Sequence, residues 1–229
     1  MDRKVTVIIV AAGSGTRFGA TLPKQFCMLE GRPLLMTTVD RVREAMPESD
    51  IILVLNKDAV EMWRDMCDES GFCSPRIIAG GATRWESVKN ALEETSDEGY
   101  VMVHDGARPL LVTDVAVRLL KALDDGHQGA IPTVPVVDSL RCKDCGGDGS
   151  IAVDRSRYVA VQTPQAFPVK LLKMAYRATF SPEYTDDASV MQNAGFKDIV
   201  LVEGSPSMFK ITHPLDMEIA SLYLRNNDL

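Results

Sequence analysis

Short runs of β-branched and aliphatic residues alternate along this chain with longer segments of helical spacing. That alternation restricts the fold more than any other feature of the 229 residues. Strands are expected at Val5–Val10, Asp50–Leu55, Arg76–Ala79, Tyr100–His104 and Gly129–Val134, with helices at Pro33–Ala45, Asp58–Glu69, Thr83–Glu94 and Asp114–Asp124. The strand runs are continuously apolar rather than alternating, the pattern of strands covered on both faces, so an α/β fold with a mostly parallel sheet flanked by helices is predicted. Thr83 followed by Glu86 reads as a capping box, and Thr113 is expected to cap the next helix.

The regularity breaks after Pro135. Residues 136–158 are polar, carry Gly146-Gly147-Asp148-Gly149 near their centre and have strand-like ends, so a protruding β-hairpin arm is expected. The α/β pattern then resumes with helices from Pro168, Asp187 and Pro214 and strands at Asp198–Val202 and Met208–Thr212. No repeat or long linker divides the chain, and residues 1–229 read as a single domain.

Charge and cysteine content narrow the function. A net charge of −7 argues against a general nucleic-acid binder, which needs a basic face. The apolar run at Val5–Ala12 is too short to span a bilayer, so no membrane association is expected. Five irregularly spaced cysteines fit reduced thiols and a cytoplasmic protein. Cys142 and Cys145 form a C-x-x-C pair, but a structural zinc site needs four ligands and no second pair lies nearby.

The segment AAGSGTRFG follows the first strand directly, where open α/β sheets bind ligands. It is not a P-loop, because the Gly-Lys-Ser/Thr order is missing. It also departs from the dinucleotide fingerprint: Phe18 stands at the third glycine position, and Leu55-Asn56-Lys57 offers no ribose-binding acid. A nicotinamide-dependent oxidoreductase is therefore the weaker reading. Small residues at Ala11, Ala12, Gly13 and Gly15 let backbone N–H groups approach phosphate oxygens, while Arg17 and Lys24 supply cations for a polyphosphate.

AAGSGTRFG…LPKQF, GGATRWESV, VHDGARP, VDRS…QTPQAF, TDDAS and FKITHPLD occur in that order. Together they resemble the 2-C-methyl-D-erythritol 4-phosphate cytidylyltransferases of non-mevalonate isoprenoid synthesis, over essentially the whole chain. The resemblance implies a Rossmann-like domain that binds CTP and a sugar-alcohol phosphate with Mg²⁺. Ala11, Ala12, Gly13 and Gly15 then contact the nucleotide, and Gly81, Ala82 and Ser87 face the cytosine. Arg17, Lys24 and Lys210 act on the phosphates. Asp105, Arg108, Ser139, Arg155 and Thr185 bind the acceptor.

The family often carries an acid where Ala82 stands, which leaves that position its backbone. Threonine is more usual at Ser139. No protein metal ligand is assigned, since the triphosphate oxygens are expected to hold most of the Mg²⁺. The resemblance also implies a homodimer in which the arm completes the neighbouring subunit's pocket. Ribitol-5-phosphate cytidylyltransferase shares most of these motifs and is the nearest alternative; a non-catalytic nucleotide sensor on the same fold is another. His104 beside Asp105 invites a general-base role. A phosphate monoester nucleophile is already anionic at neutral pH, however, and a structural histidine is the expectation.

Overall fold

The computed structural model describes residues 4–13, 22–143, 146 and 148–226. The chain opens with β1 (Val5–Ala11), a short β2–β3 hairpin (Met28–Leu29, Arg32–Pro33) and α1 (Leu34–Ala45). It continues through β4 (Asp50–Leu55), α2 (Val60–Ser70), β5 (Arg76–Ala79), α3 (Arg84–Glu93), β6 (Tyr100–Asp105), α4 (Thr113–Asp124) and β7 (Gly129–Pro135). The arm carries β8 (Arg141–Lys143) and β9 (Ser150–Ala152). The last part holds β10 (Val159–Val161), β11 (Gln165–Pro168), α5 (Val169–Ala175), α6 (Asp187–Asn193), β12 (Ile199–Glu203) and α7 (Pro214–Asn226).

One mixed sheet organises these elements. β1 lies at its centre, parallel to β4 and β6, and β5 extends it parallel to β4. β11 runs antiparallel between β6 and β7, and β12 pairs parallel with β7. The mostly parallel sheet flanked by helices is therefore as the strand patterning requires. The apolar runs are continuous because successive side chains enter different layers. Val7 and Ile9 of β1 join the cluster under α1, α2 and α4, whereas Ile8 joins the one under α3, α5 and α6. Leu53 and Leu55 against Ile52 and Val54 repeat this alternation on β4. Each such fully buried side chain contributes roughly 1.5–3 kcal/mol of apolar transfer free energy.

Three expectations change. Met208–Thr212 is not a strand: Pro206–Met208 is a 3₁₀ turn, and the residues after it run without regular structure to α7. Met208 and Ile211 are both fully buried, a spacing of three that a strand face does not give. Thr113 does not cap α4; Val112 holds the N-cap position and no side chain closes it. Conversely β11, which the sequence did not suggest, sits inside the sheet. Pro164 before it, Pro168 at its end and buried Gln165 hide it from apolar periodicity.

The arm leaves the sheet where Pro135 pairs with Val159 and closes on itself through Arg141↔Ala152 pairing. The Arg155 guanidinium donates to the Val137 carbonyl and ties its two legs together. Among the described residues no helix is long and apolar enough to cross a membrane.

Candidate active site

The parallel strands β1, β4, β5 and β6 all point their carboxyl ends to one side, and a cleft of about 640 Å³ opens there. This is where an open α/β sheet leaves a ligand crevice. Ala11, Ala12 and Gly13 line it as β1 ends. Buried Gln25 donates to the carbonyls of Ala11 and Gly13 at 2.9 and 3.3 Å, fixing the start of the glycine-rich loop. Gly15 and Arg17 lie outside the described residues. Gly106, after β6, comes so close to β1 that an added Cβ would stand 2.9 Å from Ala11 Cβ.

Two lysines reach the cleft from distant parts of the chain. Lys24 stands on the 3₁₀ turn Lys24–Phe26 and donates to the Ile211 carbonyl at 2.7 Å. Lys210 lies in the irregular segment before α7, which Ile211 N–H anchors to the Ala107 carbonyl. Its ammonium donates to Asp105 Oδ2 at 2.8 Å.

A second wall is the first turn of α3. Thr83 Oγ1 accepts from Glu86 N–H while Glu86 Oε2 accepts from Thr83 N–H, the capping box expected from sequence. Glu86 Oε2 also takes the Ala82 N–H at 2.6 Å, so the backbone donor left at position 82 is already used. Gly81 N–H donates to Ser87 Oγ, which in turn donates to the Thr83 carbonyl. Gly81, Ala82 and Ser87 all line the cleft.

Between the walls stands Asp105, at the end of β6, ringed by cations. Arg84 Nε is 3.6 Å from its Oδ1, and Lys210 and Arg108 face Oδ2. Burial opposes ionisation of this carboxyl, but Arg84, Lys210 and Arg108 outweigh it and hold its pKa well below the carboxylate range. Arg108 donates to the Met208 carbonyl, and its buried Nε makes no hydrogen bond.

His104 belongs to the scaffold. The Arg108 carbonyl at 3.0 Å can only accept, so Nε2 carries the proton and Nδ1 accepts from the Thr163 hydroxyl at 3.1 Å. That hydroxyl oxygen accepts in turn from Asp105 N–H. Complete burial pushes the imidazole pKa down to about 4.

Arg108 faces Asp105 but does not line this cleft, and neither do the other expected site residues that the structure describes. Ser139 and Arg155 are exposed on the arm, and Thr185 is exposed in the loop before α6. Sequence reasoning missed Arg84, Gln25 and Asn56, which do line it, and Asp187 behind Arg84. Arg84 and Asp187 each sit inside a quoted motif, GGATRWESV and TDDAS. Their separation of 103 positions gives no sign that they pair.

A strand-end cleft with a glycine-bearing loop, two lysines and a cation-ringed aspartate defines an α/β nucleotidyltransferase. The chain belongs to the 2-C-methyl-D-erythritol 4-phosphate cytidylyltransferase family, whose profile matches residues 5–226. The protein of that name from Bacteroides thetaiotaomicron is 43% identical, covering 96% of this chain and all of the relative. The one from Porphyromonas gingivalis W83 is 42% identical over 98% of this chain and 99% of the relative. Among solved structures, the 2-C-methyl-D-erythritol 4-phosphate cytidylyltransferase of Thermus thermophilus superposes with a TM-score of 0.74 at 30% identity, covering 98% of this chain and all of that one. The 4-diphosphocytidyl-2C-methyl-D-erythritol synthase of Anaerococcus prevotii gives 0.79 at 28% identity, covering 97% and 99%.

Proposed function

We propose that this protein transfers CMP from CTP to the phosphate of 2-C-methyl-D-erythritol 4-phosphate, releasing pyrophosphate, as a cytoplasmic enzyme of non-mevalonate isoprenoid precursor synthesis. The observation that carries the reading is Lys24 and Lys210 lining one cleft with the Asp105 cluster, in a chain matching the family end to end. An oxygen of the acceptor's phosphate attacks the α-phosphorus of CTP. The bond to the β-phosphate breaks and pyrophosphate leaves. No proton has to be removed from the nucleophile, so the site needs charge neutralisation and alignment rather than a base. Lys24 and Lys210, with Arg17 of the glycine-rich loop, neutralise the phosphates. Ala11, Ala12, Gly13 and Gly15 receive the nucleotide, and Gly81, Ala82 and Ser87 form the slot for its base. Asp105 and Arg108 take the acceptor.

Mg²⁺ fits this donor set in one way. No group of three or more protein ligands gathers among the described residues, and Asp105 is the carboxylate that lines the cleft. Both oxygens of Asp105 are already faced by cations, so the triphosphate oxygens and water would hold most of the magnesium. When bound, it supplies positive charge across the phosphate oxygens.

Ser139, Arg155 and Thr185 fit a homodimer in which the arm of one subunit enters the other's acceptor pocket. The exposed apolar side chains on and beside the arm, Val137, Ile151, Tyr158 and Val159, support such an interface. Among the described residues Cys27, Cys67, Cys73 and Cys142 are free thiols, which accords with a reducing compartment.

A pyrophosphate-release assay with CTP tests the reaction. Turnover with methylerythritol phosphate at least tenfold above ribitol 5-phosphate is expected. Faster turnover of ribitol 5-phosphate would overturn the acceptor assignment.

A further inference from the structure

Asp187 opens α6 and is fully buried, away from the cleft. Its two carboxylate oxygens accept from the two terminal nitrogens of Arg84 at 3.2 and 2.7 Å, and Tyr176 donates to Oδ1 at 2.6 Å. The turn that carries Asp187 is itself pinned from the middle of the sheet. Buried Gln165 of β11 accepts from the N–H groups of Asp187 and Ala188 and donates to Asp186.

A buried ion pair of this kind is ordinarily only structural. Here its cation is not sealed off. Arg84 lines the cleft, its side chain 32% exposed, and its remaining nitrogen faces Asp105 Oδ1. Lys210 and Arg108 approach the other oxygen, Oδ2, so among the described residues Arg84 is the cation that meets Oδ1. A guanidinium can fork onto one carboxylate and still present a third donor; an ammonium has no such fixed geometry.

We propose that Asp187 is a positioning residue for the reaction: by gripping the Arg84 fork it aims Arg84 Nε at Asp105 and so fixes the carboxylate that receives the acceptor. This rests on the reading of Asp105 as an acceptor-binding group. Asp187 and Gln165 touch no substrate. They act through Arg84, and the wall formed by α3 is tied to β6 by way of α6 and β11.

The test uses full-length protein with Asp187→Asn, Arg84→Gln and the double variant, each read three ways. Those readings are pyrophosphate release, the affinities for CTP and for the acceptor by calorimetry, and thermal melting. Each single variant is expected to lose at least tenfold in kcat/KM for the acceptor while CTP affinity stays within threefold of wild type. The double variant should lose no more than twofold beyond the worse single one, because both break the same link. Losses that multiply, or CTP binding that weakens in parallel with the acceptor, would mean a general structural role and overturn the proposal.

Should Asp187→Asn fail to fold, acceptor kcat/KM within threefold of wild type in Arg84→Gln overturns the proposal. Wild-type protein releasing no pyrophosphate from CTP and methylerythritol phosphate would refute the reaction; acceptor affinity by calorimetry would then judge the link, and affinity within threefold of wild type in both single variants overturns it.

Discussion

The imidazole of His104 has a proton on Nε2, an acceptor at Nδ1 and no access to solvent. Burial lowers its pKa from 6.5 to about 4, so it is neutral in the folded protein at physiological pH. Between those values the unfolded chain binds the extra proton and the folded one does not, so stability falls as pH drops from 6.5 toward 4. The full span is worth roughly 3 kcal/mol. Thermal melts of His104→Gln should therefore show a flatter loss of stability over that window than wild type. The acid limb of kcat/KM should not change position, because the group titrating there is the acceptor phosphate, near pH 6. A displaced limb would return His104 to the reaction. The sequence placed the Val-His-Asp strand end correctly, yet burial and the two hydrogen bonds of His104 are tertiary facts.

At the scale of elements, α3 is where local code and site coincide. Thr83 and Glu86 specify the N-terminus by themselves, and the same cap shapes the wall that holds Gly81, Ala82 and Ser87. Thr83→Ala should cost about 1 kcal/mol of stability, measurable in urea unfolding. Gly80→Ala should act differently: its Cβ would come 2.5 Å from Ala12 Cβ and 2.9 Å from Ser87 Oγ. It pushes the end of β1 away from α3, so KM for CTP is expected to rise at least tenfold while Thr83→Ala leaves it within threefold. Equal effects on KM would show that the spacing of the two walls does not matter. The capping box was legible because it is a four-residue rule. β11 was not, because a buried strand with Gln165 on it gains its stability from neighbours that sequence order does not announce. The Met208–Thr212 error has the same root: its apolar residues are held at Met208 and Ile211 by two different clusters.

For the whole molecule, the proposed exchange of arms would decide what is one active site. Ser139 and Arg155 stand on exposed legs, outside the cleft of their own chain. If the arm works across a dimer, Lys24→Ala and Arg155→Ala damage one site from different subunits. Each variant alone should lose about 10²-fold or more in turnover, the scale for removing a charge that acts on the transition state. Unfolding and refolding them together should restore about a quarter of wild-type activity, since half the symmetric dimers are mixed and each has one intact site. No recovery, with dimers verified by light scattering, would place Arg155 in the site of its own chain.

The sequence by itself determined the α/β plan, the α3 cap and the arm, because each is announced by a pattern among residues close in the chain. Continuous apolar strands require two covering layers whatever their order. Tertiary structure alone decided which charges meet. It brought Lys24 to the Ile211 carbonyl, Lys210 to Asp105 and Arg84 to Asp187, across separations of 187, 105 and 103 positions. Ion pairs depend on distance in space and on burial, and neither is written in the local order of residues.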